Sequence, residues 1–221
     1  MKNVLNTKNK NMIAGFTLAE LIIVIAIIAV ISTLALFNGS KLNSSVLLSN
    51  NAYEIGLFVR DAQISGLGAK VILSGGVATT SNQGVYFDMD SPDNVIFFAD
   101  LDKNSRYTVG EESQIYDMKN KRGGKILSIC KISNNSNVPT ACSSDGTLSS
   151  DNLLALNVVF KRPNPEAYFN YYDYTDLSKL NIQSYTGSMA VNIGFPGGEC
   201  RSIVMYKTGA IQVDKSFCTT P

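Results

Sequence analysis

The sequence predicts an α+β chain, in which a long N-terminal helix with a transmembrane first half is followed by an antiparallel β-sheet or small β-sandwich head. Three observations predict it. From Phe16 to Phe37 the side chains are apolar except at Thr17, Glu20, Ser32 and Thr33. A helical period then continues to Gly68, with no proline before Pro92. Beyond Gly68, short β-rich segments alternate with Gly, Asn, Ser and Pro, which reads as strands and turns.

The chain of 221 residues has room for one domain with an appendage. Residues 1–15 form a short basic leader containing Lys2, Lys8 and Lys10. Residues 16–37 as helix span about 33 Å, enough for a hydrocarbon core of roughly 30 Å. Three lysines precede this segment and Lys41 alone follows closely. The positive-inside bias therefore puts the N-terminus in the cytoplasm and the remainder outside. A secretory signal peptide shares the basic start, but here the apolar stretch is long, no A-x-A site follows it, and the composition breaks at Gly15/Phe16, ahead of the apolar run.

Residues 38–68 carry two apolar stripes. Leu42, Val46, Tyr53, Leu57, Ile64 and Leu67 fall on one face; Leu48, Ile55, Phe58, Val59 and Ala62 fall opposite. One stripe should pack on the head and the other should meet neighbouring helices, with Gly66 and Gly68 offering a stop. Residues 69–221 then form the head. RSIVMY, KTG and AIQVDK read as a terminal hairpin with Gly209 in its turn.

Composition removes several functions. The chain has no histidine, which excludes a Ser-His-Asp triad and most zinc or haem sites. No convergent nucleophile and base can be named, so the expectation is a protein without enzymatic activity. Without residues 1–15, sixteen basic side chains face eighteen acidic ones, a formal charge of −2. Bulk charge therefore argues against nucleic acid as a partner. The basic group Lys119, Lys121, Arg122, Lys125 and Lys131 reads as a solvated loop, with phosphate binding in DNA uptake as the rival. The cysteines fall as Cys130 and Cys142, then Cys200 and Cys218. Outside the cytoplasm two disulfides are expected, the second bracketing the terminal hairpin.

The stretch GFTLAELIIVIAIIAVI, from Gly15 to Ile31, resembles the N-terminal cleavage and methylation signal of type IV pilins and type II secretion pseudopilins. The resemblance implies cutting by prepilin peptidase between Gly15 and Phe16, and N-methylation of the new Phe16 amine. Glycine lets a peptidase approach the backbone closely. Glu20, fifth in the mature chain, would be expensive in lipid and needs a named partner. The family implies that partner: the Phe16 α-amine of a neighbouring subunit, neutralised as the filament assembles. Snorkelling, or favourable placement at the helix N-terminus, is the plainer reading of the same carboxylate.

The helix, the terminal hairpin and NVIFFADLDKNSRYTVGEE are similar to H-type minor pilins and pseudopilins. Other pilin subunits, prepilin peptidase, an assembly platform and a motor ATPase are implied partners. The inner membrane is the implied location, with the head periplasmic or extracellular. Two rivals stand beside this: a DNA-binding minor pilin, and a single-pass anchored adhesin or receptor that never polymerises.

No cofactor is required by this reading, but one loop has a cation pattern. Asp100, Asp102 and Asn104 alternate, Arg106 stands where a calcium loop gives its carbonyl, and Glu111 takes the twelfth position. Ser105 departs from the pattern, because a sharp turn normally takes glycine there. A solvated turn whose Asp and Asn cap their own backbone is the commoner fate of such a stretch. The run AYFNYYDYT reads as one strand alternating between core and surface.

Overall fold

The computed structural model describes residues 15–68, 71–74, 77–120, 124–133, 139–143, 153–176, 179–195 and 198–215, with residues 35–43, 71–74, 77–79, 174–176 and 179–181 described by backbone only. Most of the leader, Lys121, Arg122 and Cys218 lie outside the described residues. The chain divides into two units, Met1–Asn43 and Ser44–Pro221.

Helix α1 runs from Leu18 to Leu67. It starts after Thr17, two residues later than the expected first mature residue, because Thr17 serves as its cap. In the first unit the apolar side chains from Leu18 to Leu34 are all exposed. Thr33 hides its hydroxyl by donating to the carbonyls of Ala29 at 3.0 Å and Val30 at 2.8 Å. Among the described residues no helix is long and apolar enough to cross a membrane. The segment expected to cross, residues 16–37, runs past Leu34, where the described side chains stop.

The second unit begins with the rest of α1 and continues into β-structure that is antiparallel in every pair. The two stripes of this helical stretch have separate fates. Leu48, Ala52, Ile55, Phe58, Val59 and Ala62 are buried, whereas Val46, Tyr53, Leu57 and Ile64 remain exposed.

Strands β1 (Val71–Ser74) and β2 (Val77–Thr80) form a small hairpin. A six-stranded sheet has the order β10-β9-β8-β3-β4-β5. Its strands are β3 (Asn82–Asp88), β4 (Asn94–Asp100), β5 (Glu112–Asp117), β8 (Leu153–Phe160), β9 (Ala167–Asp176) and β10 (Lys179–Tyr185). A five-stranded sheet has the order β13-β12-β11-β6-β7. It uses β6 (Lys125–Ile132), β7 (Pro139–Cys142), β11 (Ser188–Gly194), β12 (Cys200–Met205) and β13 (Ile211–Asp214).

The main core takes Ile55, Phe58 and Val59 from the helix, Phe87, Phe97 and Phe160 from the larger sheet, and Ile129, Val191 and Ile203 from the smaller. Period-two alternation produces this selection: Val95 and Phe97 on β4, like Phe169 and Tyr171 on β9, point inward. Tyr168, Asn170 and Tyr172 are half-buried on the opposite face. Each fully buried large side chain contributes about 1.5–3 kcal/mol relative to exposure. Gln63 adds a polar tie, its amide donating to the carbonyls of Pro165 at 2.8 Å and Gly209 at 3.0 Å.

The terminal hairpin turns at Gly209, whose φ of 86° belongs to glycine. A Cβ there would stand 2.0 Å from the Pro165 carbonyl oxygen. Cys130 and Cys142 are register partners on β6 and β7 and are joined by a disulfide. Cys200 is also disulfide-bonded, and no described cysteine is free.

Candidate functional site

Two constellations carry the residues singled out by sequence. The first is the start of α1. Thr17 Oγ1 donates to Glu20 Oε2 at 3.1 Å and accepts the Glu20 amide at 3.3 Å. The same Oε2 accepts the Thr17 amide at 3.1 Å. These reciprocal bonds form a capping box, which satisfies backbone donors that a helix N-terminus leaves unpaired. The signal was present in the sequence as T-x-x-E, although the carboxylate drew attention for its cost in lipid instead. The Glu20 carboxylate is therefore held against the Thr17 amide by its own helix, and Phe16 is 84% exposed.

The second is the loop from Asp100 to Glu112, between β4 and β5. Carboxylate oxygens of Asp100, Asp102 and Glu111 lie within 4.8 Å of one another. Glu111 Oε1 accepts the amides of Leu101 at 2.7 Å and Asp102 at 3.2 Å, and its Oε2 accepts the Thr108 amide at 2.9 Å. Asp100, fully buried, accepts from the Ser105 amide at 3.1 Å and the Asn82 side chain at 3.0 Å. Asp102 accepts the Asn104 amide at 3.0 Å, and Asn104 in turn accepts the Arg106 amide at 2.7 Å.

Lys103 and Ser105 adopt positive φ values of 61° and 63°, uncommon for side chains with a Cβ. Ser105 thus makes the left-handed bend usually given to glycine. The oxygen donors suit a hard cation such as calcium in type; the same carboxylates also serve as caps for the loop's own amides.

What clamps the loop was not legible in its own sequence. Asn157 on β8 accepts the Tyr107 amide at 2.8 Å, and Asn170 on β9 donates to the Ser105 carbonyl at 2.8 Å. The Tyr107 ring lies 5.0 Å from that of Tyr86 and 5.8 Å from that of Phe98. Fifty or more residues separate the asparagines from the loop, so only strand pairing brings them to it.

Glu112 ends the loop. Its carboxyl is held below the ordinary range by its own backbone amide and that of Gly110, with a further bond from the Tyr107 hydroxyl. Burial and that bond push the Tyr107 phenol upward. Tyr116, buried against the helix, is also raised, first by desolvation and then by Glu54. Of the basic group, Lys131 stands 4.3 Å over the Tyr171 ring and Lys119 is exposed, while Lys121 and Arg122 lie outside the described residues.

The comparisons with known proteins bear on the first constellation. The family model described as the prokaryotic N-terminal methylation motif matches residues 10–36. No curated protein and no solved structure matches the chain. The matched segment includes the Gly15–Phe16 bond, the Thr17–Glu20 cap and the exposed aliphatic helix. Over residues 10–36 the chain therefore carries the prepilin signal of the type IV pilins and pseudopilins.

Proposed function

We propose that the chain is a non-enzymatic structural subunit, of the H-type minor class, in a type IV pilus or type II secretion pseudopilus. The methylation motif at residues 10–36 carries this reading. Prepilin peptidase cuts between Gly15 and Phe16 and methylates the new amine. The helix holds the precursor in the inner membrane, N-terminus inside, until platform and motor ATPase draw it into the filament.

Glu20 gives the step its chemistry. Lipid penalises an unpaired carboxylate, and the cut creates a cation beside it. A neighbouring subunit's Phe16 amine neutralises the carboxylate and fixes axial register. The test is the mass of the mature N-terminus, which should correspond to a chain beginning at N-methylated Phe16. An intact Met1 in cells with active peptidase sinks the reading. Glu20→Ala should be processed yet fail to assemble, whereas a plain anchored adhesin would tolerate it.

For the Asp100–Glu111 loop we propose calcium as a stiffening ligand, supported by the convergence of three carboxylates. At one hundred times its Kd, calcium should stabilise the metal-free chain by about 2.7 kcal/mol. Equal melting in calcium and in chelator leaves the loop as a self-capped turn.

A further inference from the structure

The loop joining β8 to β9 and the turn of the terminal hairpin are tied to one another. The Ala167 amide donates to the Lys207 carbonyl at 3.1 Å, and the Lys207 ammonium donates to the Ala167 carbonyl, also at 3.1 Å. Tyr168, on the outer face of the larger sheet, gathers two cations there. Lys207 Nζ stands 4.3 Å over its ring centre and Lys161 Nζ 4.8 Å, with Arg162 exposed next in the chain. A ring face and a carbonyl attract an ammonium without cancelling its charge. Among the described residues none of the three cations forms an ion pair, and Glu166 is the only carboxylate of the loop. Two like charges held on one ring, with a third beside them, make a positive surface whose geometry is set before any ligand arrives.

Chemistry selects the occupant. Residues Arg162 to Glu166 are all exposed, so the cations line an open surface rather than a pocket for a small anion. No large apolar side chain is exposed on residues 161–168 or 206–209, whereas a protein partner takes most of its energy from well-packed anchors. Single-stranded nucleic acid stacks its bases on open aromatic faces; the Tyr168 ring already carries the ammonium groups. A polymer of sugars bearing carboxylates needs neither anchor nor open ring. Its charges meet Lys161, Arg162 and Lys207, and its hydroxyls meet the exposed side chains of Asn164 and Thr208, which both donate and accept.

We propose that this surface binds an acidic polysaccharide through its carboxylates. The proposal goes beyond the subunit reading and does not depend on it, since it concerns the head alone.

The test is binding of polygalacturonate to the full chain in a neutral detergent, with dextran as the uncharged polymer. Polygalacturonate should bind and dextran should not. Raising the salt from about 50 to 200 mM should weaken binding about tenfold, as the release of a few counterions implies. Lys161→Gln with Lys207→Gln removes both charges from the ring and should weaken binding at least about tenfold. Lys161→Arg with Lys207→Arg keeps the charges and should retain it. Lys119→Gln, which removes an exposed cation beyond β5, should leave it unchanged. Equal thermal unfolding of parent and variants checks the fold, and the salt dependence of the parent needs no variant.

The proposal is overturned if dextran binds as well, if binding ignores salt, or if Lys119→Gln weakens it as much as the double glutamine variant. A single-stranded oligonucleotide or polyglutamate that binds more tightly than polygalacturonate at the same salt also overturns it, since the surface would then serve nucleic acid or an acidic protein.

Discussion

The first and second units use the same aliphatic residues under opposite conditions. Ile22, Ile25 and Ile28 are each more than half exposed, whereas Ile55, Ile129 and Ile203 are fully buried. Hydrophobicity alone does not separate them. The second unit contains its own covering layers, since its helix and two sheets close one core. The first unit offers apolar surface all round a helix, and an all-round apolar helix needs its cover from lipid or from other chains. One region encloses its own core; the other leaves its apolar surface for other molecules to cover.

Three measurements can break or sharpen that contrast. The largest effect belongs to the buried side: Phe97→Ala should cost about 3–5 kcal/mol in denaturant unfolding, through lost burial and a cavity. Ile25→Ala should leave the same transition within about 0.5 kcal/mol, as substitutions outside packed sites do. Equal losses would mean that the first unit shares the head's core, and the contrast would fall.

A smaller effect isolates the helix start. Thr17→Val removes both the hydroxyl donor and the acceptor of the capping box and should destabilise the first turn by about 1 kcal/mol. Faster amide exchange at Glu20 and Leu21 should reveal it, with the head's melting unchanged. A shifted head transition would show that the two units are coupled.

The smallest effect concerns acid. The carboxyl of Glu112 is lowered in the folded chain from an ordinary 4.5 by amide bonds. A depressed carboxyl stabilises above its unfolded value, and that contribution is lost as pH falls through the folded value. The Gly110 amide, which donates to Glu112 at 2.8 Å, should therefore titrate by NMR below the ordinary range. Glu112→Gln should abolish that titration while leaving amides at the Thr17–Glu20 cap unmoved.

Central strands were the most legible part of the head. NVIFFAD is β4 from its first residue to its last, and LLALNVVF is β8. Strands buried on a face must advertise it in apolar residues. Strands β2, β7 and β10 all lie at edges. Edge strands pair on one side only and need little apolar sequence; β7 even begins with Pro139, which an edge tolerates. In the candidate site, the oxygen pattern from Asp100 to Glu111 was visible because its spacing is local. The clamps at Asn157 and Asn170 were not, since an asparagine inside a strand carries no mark of the loop it will hold.

The sequence by itself determined the prepilin signal, the period of the helix and the alternation of the central strands. Each is written in neighbouring residues, which a short recognition event or a single turn can read. Only the tertiary structure decided which of the two helical stripes would be buried. Both are apolar, and the choice depends on where β4, β8 and β12 place their inward side chains. It also decided that Ser105 would bend left-handed, because Asp100, Asn157 and Asn170 together outweigh the local cost of that backbone.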